Sequence, residues 1–355
     1  MIGQRLYRAR KAAGLSLREL GDKIGLTHAA IKKYEDEQTI PSSTTLIKLA
    51  KALNVRIEYF FRIESIALDH IEYRKKSSLP KKRLQAIEHE IIDQIERRIE
   101  LENLYPTPPI KQFASMEGLP KLLTDFSQIE NVAEIVRKKW NLGYDPIPDL
   151  IDVLETHGIR VFMIDAHADF KFDGLAASVN QLPIVVVGSN WPGDRQRFTL
   201  AHELGHQILA NRLAENLDEE KACNRFAGAF LIPRQSVVEE LGAYRNNIEL
   251  RELALLKEEF GLSMAGILFR AQDLGIVTPA WRKEKTILFR TQKWHIREPG
   301  QSYPSEKAHV FEQLVFHALA EEYIGESKAA ELMNMSLINF RALRALECND
   351  AATHQ

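Results

Sequence analysis

The hydrophobic positions along the chain change their spacing, and these changes predict the order of its structural elements. In the first 62 residues, apolar or small side chains recur every three or four positions in short runs that stop at Gly14 and Gly25. This spacing is typical of short amphipathic helices separated by turns. Ser16 followed by Glu19 predicts a capping box at the start of the second helix.

Further along, the pattern alternates between helical and extended segments. A long amphipathic helix is expected at 83–105, after a basic run at 74–83 that reads as a solvated linker. Segments 159–165, 174–180 and 183–189 have strand character, and the apolar stretch 197–213 contains no proline. Helical patterns return at 250–277 and 306–345. Strands that lead into a buried helix predict an α+β layout for the central region.

The first 62 residues resemble the helix-turn-helix domain of Cro/CI-type (XRE) repressors. A helix, a glycine turn and a second helix of small and basic residues carry this resemblance. It implies that the second helix enters the major groove of double-stranded operator DNA, with His28, Ala29, Lys32 and Lys33 facing bases or phosphates. Such domains usually bind as homodimers on paired half-sites.

Charge is distributed unevenly along the chain. Residues 1–62 carry 12 Lys and Arg against 6 Asp and Glu, a net charge of +6. The remainder carries 35 basic against 43 acidic residues, a net charge of −8. A basic end on an otherwise acidic protein favours nucleic acid as a partner of that end.

The segment RFTLAHELGH, residues 197–206, is the strongest indication of chemistry. His202 and His206 are four positions apart, so on a helix both imidazoles leave the same face and can bind one metal ion. Glu203 stands beside the first histidine, where its carboxylate can accept a proton from water. This is the H-E-x-x-H arrangement of zinc peptidases.

A third ligand is expected downstream, because catalytic zinc usually has three protein ligands. The acidic cluster Asp218, Glu219 and Glu220 opens a second helical stretch, and Glu220 is the preferred candidate. Asn224 lies one turn beyond Glu220 and can hydrogen-bond a ligating imidazole. An acidic first turn that only complements the helix dipole is the alternative.

These motifs resemble the ImmA/IrrE family of metallo-endopeptidases over roughly residues 130–280. The resemblance rests on HELGH, on the stretch E-x-x-C-N-R-F-A-G-A-F-L-I-P that follows it, and on FDGLAAS at 172–178. It implies that Glu220 completes a Zn²⁺ site, and Cys223 stands where the family usually has alanine. In peptidases of this kind an edge strand aligns the substrate by β-augmentation, and 174–180 is the candidate.

The expected fold class is therefore a multidomain, mainly α protein with a zincin-like α+β peptidase domain. The expected domains are an all-α helix-turn-helix domain at 1–62, a helical connector at 63–125, the peptidase domain at 126–249, and a helical, helix-turn-helix-like region at 250–355.

The expected function is a DNA-binding transcriptional regulator with a zinc endopeptidase domain. The resemblance implies that this domain cleaves a repressor-type protein in the regulation of stress response, mobile elements or phage defence. The alternative is a non-proteolytic repressor, or the antitoxin of a toxin-antitoxin system, that uses the peptidase fold to sense a ligand or partner. A third hypothesis is a metal-responsive repressor, in which zinc binding is itself the regulatory signal. Four residues are candidates for stabilising the oxyanion: Arg195, Arg197, Arg234 and Tyr244.

Two cysteines 125 positions apart, Cys223 and Cys348, do not predict a disulfide framework, so a reducing cytoplasm is expected. No stretch approaches 18 apolar residues, so no membrane partner is expected.

Overall fold

A computed structural model describes residues 2–62, 69–73, 81–114, 116–165, 172–179 and 182–346. Most of the basic run (74–80), Asn180 at the end of the second predicted strand segment, and Cys348 lie outside these residues. Contacts divide the chain into two compact units. The first unit comprises 1–68, 78–110 and 309–355, and the second comprises 69–77 and 111–308.

The described part of the first unit is helical. Its helices are α1 (Ile2–Ala12), α2 (Leu17–Ile24), α3 (His28–Glu35), α4 (Ser43–Leu53), a 3-10 helix (Ile57–Phe61), α5 (Lys81–Asn103), α14 (Val310–Ala320), α15 (Glu326–Leu332) and α16 (Leu337–Arg344).

The turn between α2 and α3 is set by local chemistry and by one close approach. The capping box at Ser16 and Glu19 is confirmed, because each side chain accepts the backbone N–H of the other residue. A Cβ on Gly21 would lie 2.5 Å from the carbonyl oxygen of Leu26, so only glycine lets the turn fold back this tightly. Gly25 ends α2 with φ of 73°, in the left-handed region that glycine favours.

Helix α5 joins the helix-turn-helix domain to the end of the chain. Arg5 on α1 forms a buried ion pair with Glu96 on α5. On α5, the Arg97 guanidinium donates to the carbonyl of Leu332 (2.7 Å). Leu101 is buried in one apolar cluster with residues of α14, α15 and α16. The last described helices therefore pack with the N-terminal domain through α5, across more than 200 residues of sequence.

The second unit contains the sheet and the remaining helices. Its elements are β1 (Asp69–Tyr73), α6 (Ser127–Lys139), α7 (Leu150–Thr156), β2 (Arg160–Ile164), β3 (Gly174–Val179), β4 (Leu182–Gly188), α8 (Gly193–Leu209), α9 (Glu219–Leu231), α10 (Arg234–Leu241), α11 (Leu250–Phe260), α12 (Met264–Asp273) and α13 (Pro279–Thr291).

The four strands form one sheet in the order β1-β3-β4-β2. β2 pairs with β4 in parallel, whereas β3 pairs antiparallel with both β4 and β1. The expectation that 174–180 is an edge strand is wrong, because β1 covers the outer edge of β3. The sequence pattern could not reveal this pairing, because β1 is short and lies about 100 residues before β3.

The expected fold class is confirmed: a mainly α chain with an all-α helix-turn-helix domain and an α+β domain. None of the described helices is both long and apolar enough to cross a membrane.

A buried charge network fixes three helices of the second unit. Glu130 on α6 accepts two hydrogen bonds from the Arg270 guanidinium on α12, at 2.5 and 2.7 Å. Arg225 on α9 donates to the same carboxylate at 2.6 Å and also pairs with Asp273. Burial raises the pKa of Glu130, but the two guanidinium groups outweigh it and hold that pKa below its usual value.

We expect Glu130→Gln to lower the free energy of unfolding of this unit by about 3–5 kcal/mol at neutral pH, because it leaves buried guanidinium charge uncompensated. The depressed pKa means that the carboxylate stabilises the fold fully above its unfolded pKa, near 4.5, and loses this effect as pH falls through the folded pKa. Urea unfolding of wild type and variant between pH 3 and 7 measures both effects. Glu134→Gln on the same helix is the matched control, with an expected change within about 0.5 kcal/mol.

Candidate metal centre and nucleic-acid interface

Helix α8 carries the H-E-x-x-H motif through the interior of the second unit. His202 and Glu203 are both buried. The sheet lies close beside the helix, since a Cβ on Gly174 of β3 would fall 2.6 Å from Thr199 Cγ2 and 3.8 Å from Glu203 Oε1. Glycine at 174 therefore lets the first residue of β3 pack closely against Thr199 on α8, and this packing places it near the Glu203 carboxylate.

Helices α8 and α9 cross where both carry small residues. A Cβ on Gly205 would lie 3.2 Å from Cys223 Cα and 3.3 Å from a ring carbon of Phe226. Cys223 is buried. This close crossing brings the first turn of α9, with Glu219 and Glu220, against the two histidines.

The two imidazoles face each other through their Nε2 atoms, which are 3.1 Å apart. On the far side of each ring, Nδ1 lies next to an oxygen: His202 Nδ1 is 3.0 Å from Asn224 Oδ1, and His206 Nδ1 is 3.1 Å from Glu219 Oε1. An amide oxygen and a carboxylate oxygen only accept hydrogen bonds, so each Nδ1 carries the proton. In the neutral rings, two Nε2 lone pairs therefore point into the same space.

Glu220 completes this group from α9. One carboxylate oxygen lies 3.6 Å from His202 Nε2 and the other lies 3.6 Å from His206 Nε2. A tetrahedral zinc ion with bonds of about 2.0–2.1 Å separates its ligand atoms by about 3.3–3.4 Å. Two neutral imidazoles and one carboxylate at these separations fit zinc, and the ion would relieve the repulsion between the lone pairs.

The three neighbouring acidic residues have three different positions. Asp218 caps α9, where its side chain accepts the backbone N–H of Lys221 at 2.9 Å. Glu219 accepts from His206 Nδ1, and Glu220 faces both Nε2 atoms. From the sequence, any of the three residues is a candidate for the third metal ligand. In the structure, each of them has a different position and different partners.

A second group of ligand atoms overlaps the first. His206, Glu219 and Cys223 also offer ligand atoms that lie within 4.8 Å of one another. Only one histidine belongs to this group. The group of His202, His206 and Glu220 uses both motif imidazoles, which makes it the better candidate.

The four candidates for oxyanion stabilisation have different surroundings in the structure. Arg197 is fully buried and donates to Glu306 at 2.5 Å and to the Ile147 carbonyl, so its guanidinium is committed to the fold. Arg195 is exposed and pairs with Asp173 at 2.6 Å, next to Gly174. Arg234 and Tyr244 are exposed.

Helix α3 presents the residues expected to face DNA. Thr27 caps it by accepting the backbone N–H of Ala30 at 3.2 Å. The side chains of His28, Ala29, Lys32 and Lys33 are all exposed. Lys32 donates to Asp36 at 2.6 Å, which raises the pKa of Lys32, so this lysine keeps its charge over the physiological range.

Two structural roles were missed from the sequence. Glu219 supports His206 from behind, and its position becomes clear only when the two helices are seen to cross. Glu306 is buried, pairs with Arg197 and accepts the backbone N–H of Leu150 at 3.0 Å at the start of α7. No local pattern in the sequence marks Glu306 as a core residue.

Comparison with known proteins identifies two domains. A helix-turn-helix family model matches residues 6–60. A model of the IrrE N-terminal-like domain matches residues 154–272, which include the whole histidine and glutamate group.

Three proteins that are similar to part of this chain are transcriptional regulators by name. An uncharacterised HTH-type transcriptional regulator of Rickettsia prowazekii is 42% identical over 60 residues, which is 17% of this chain and 46% of the relative. The HTH-type transcriptional regulator ImmR of Bacillus subtilis is 26% identical over 93 residues, 26% of this chain and 69% of the relative. The phage CTXphi transcriptional repressor RstR of Vibrio cholerae is 35% identical over 57 residues, 16% of this chain and 51% of the relative. The match to the Rickettsia regulator thus spans about half of that protein's length.

Substitutions at Asp218, Glu219 and Glu220 test the metal centre, because these three adjacent acidic side chains have different positions. We expect Glu220→Gln to weaken zinc affinity most, because it removes a charged ligand. Glu219→Gln and Asn224→Ala should each cost about 10–100-fold, because they remove partners that orient an imidazole. Asp218→Asn should leave affinity unchanged, since asparagine caps a helix equally well. Competition with a chromophoric chelator gives the affinities, and equal losses at 218 and 220 would contradict the assignment.

Proposed function

We propose that the chain is a DNA-binding transcriptional regulator and a zinc-dependent endopeptidase, because a helix-turn-helix family model matches residues 6–60 and a model of the IrrE N-terminal-like domain matches residues 154–272. Its substrate is a repressor-type protein. The observation that carries the proposal is the group of His202, His206 and Glu220, with Glu203 buried beside it.

The residues of the second unit divide the work of peptide hydrolysis. His202, His206 and Glu220 hold Zn²⁺, which supplies Lewis-acid chemistry at the scissile carbonyl and at water when bound. Asn224 and Glu219 fix the tautomers, so that both Nε2 lone pairs are available.

Glu203 is the general base. It accepts a proton from the attacking water and returns this proton to the leaving amine. Its burial beside the sheet limits competing bulk water and orients the carboxylate toward the first residue of β3. Arg195, held by Asp173, is the candidate nearest in sequence to β3 for a contact with the substrate.

The first unit supplies DNA recognition. The exposed start of α3 enters the major groove, with His28 and Ala29 near base edges and Lys32 and Lys33 near phosphates. We place the protein as a homodimer on two half-sites of an operator, acting in the cytoplasm. Cleavage of the repressor then releases the genes that the repressor silences.

The Glu203→Gln variant distinguishes an active endopeptidase from a protein whose peptidase fold only senses a partner or ligand. We expect the variant to bind about one zinc per chain, as wild type does, and to lose about 10²–10⁴-fold in cleavage rate, because only the proton acceptor is removed. Derepression of the protein's own promoter in cells, followed together with the size of co-expressed repressors, is the measurement. Glu239→Gln, the same change at an exposed site on α10, is the control.

If Glu203→Gln regulates like wild type and no repressor is cut, the peptidase fold senses a partner or ligand instead, as in an antitoxin. If in addition His202→Ala abolishes regulation, zinc is itself the signal.

Lys33→Gln tests the DNA interface. We expect weaker binding to the promoter, and a slope of log affinity against log salt that is smaller by about 1, because one phosphate contact is lost. Lys283→Gln on α13 makes the same charge change at an exposed position of the second unit and should leave the slope unchanged. An unaltered slope for Lys33→Gln would remove this residue from the interface.

A further inference from the structure

The first residue of β3 lies at the catalytic group. Any side chain at Gly174 would collide with Thr199 and with the carbonyl oxygen of Val186, and its Cβ would lie 3.8 Å from Glu203 Oε1. Leu175 and Ala176 follow directly and are buried. A peptide that pairs with the outer edge of β3 would therefore run alongside the Glu203 carboxylate.

That outer edge is already occupied by the protein's own chain. β1, residues Asp69–Tyr73, pairs antiparallel with β3, with Tyr73 opposite Leu175 and Glu72 opposite Ala176. Tyr73 thus lies at the end of β3 that is nearest Glu203. In the sequence, β1 follows the helix-turn-helix domain and precedes α5, so the connector between them supplies the strand.

The pairing of β1 with β3 is irregular. Asp69 lies opposite Ser178 while Glu72 lies opposite Ala176, so three steps along β1 match two steps along β3. An extra residue leaves part of the hydrogen-bond ladder unpaired and weakens it. By contrast, β3 and β4 pair without a shift over six residues. β1 is therefore the strand of this sheet that a substrate segment can displace most readily.

We infer that the outer edge of β3 is a peptide-binding site for an extended substrate segment, and that residues 69–73 occupy it as a tethered ligand which the substrate must displace. This inference rests on the proposed endopeptidase function and adds how its substrate is bound. Strand addition recognises mainly the backbone, so the ligand class is an unfolded or flexible protein segment, joined antiparallel to β3.

Residues 69–73 and an added peptide compete for the outer edge of β3, and the attachment of residues 69–73 to the same chain determines how strongly they compete. A segment held on the same chain has an effective concentration on the order of 1 mM. If its intrinsic dissociation constant is about 10 µM, a competing peptide binds roughly 100-fold more weakly than to an open edge. Loosening β1 should therefore be visible directly as tighter binding of an added peptide.

The test uses the full chain, loaded with zinc and carrying Glu203→Gln so that nothing is cut. Glu72→Pro and Tyr73→Pro are introduced together. Successive N–H groups of a strand point to opposite sides, so one of the two prolines removes a donor directed at β3. Lys76→Pro with Ser77→Pro places two prolines in the same connector outside the paired residues, as the control. Zinc content near one per chain verifies folding in each variant.

The probe is a fluorescein-labelled peptide with the sequence of residues 66–76, followed by anisotropy. We expect at least about ten-fold tighter binding to the β1 variant than to the parent or the control. Hydrogen exchange of the 175–179 amides should be faster in the β1 variant and slow again when the peptide is added. Equal peptide binding in all three proteins would overturn the inference, and so would weaker binding to the β1 variant, because β1 would then itself be the receiving strand.

The same comparison with Glu203 restored distinguishes the proposal of a peptide-binding site on β3 from the proposal of endopeptidase function. If the β1 variant binds the peptide more tightly and also cleaves a repressor faster than the parent, both proposals hold. If it binds more tightly and cuts nothing, the peptide site stands and the endopeptidase proposal fails.

Discussion

Two imidazole nitrogens with their lone pairs directed at each other across 3.1 Å are the constraint on which the centre of this protein depends. The acceptors behind the rings enforce it, because Asn224 and Glu219 each require a proton on the far nitrogen. A shared cation would resolve the repulsion, and Glu220 would add the negative charge that a divalent ion needs. The close crossing of α8 and α9 at Gly205 and Cys223 brings these five side chains together.

Small residues make this arrangement possible. Gly205 and Cys223 allow α8 and α9 to cross closely, and Gly174 allows the sheet to reach Glu203. The ion pairs of Glu130 with Arg225 and Arg270 fix α9 relative to α6 and α12. Since Arg225 directly follows Asn224, a charge network in the core stabilises the same helix that orients His202.

Features encoded within one helix could be predicted from the sequence, whereas features that depend on how elements meet could not. The spacing of His202 and His206 and the capping box at Ser16 follow from helical periodicity alone. The separate positions of Asp218, Glu219 and Glu220 depend on the rotation of α9 against α8, which the contact at Gly205 sets. The strand β1 and the burial of Glu306 likewise come from partners about 100 or more residues away, for which no local signal exists.

The polypeptide passes between the two compact units four times, because the first unit is assembled from three stretches and the second from two. A cut at any single peptide bond therefore produces two fragments that still share at least one folded unit. Helices α5 and α14 to α16 would keep a nicked chain together through the cluster around Leu101. A single cut between α5 and α14 would be visible on a denaturing gel but would leave the native mass nearly unchanged, so the release of these described helices requires local unfolding as well as cleavage.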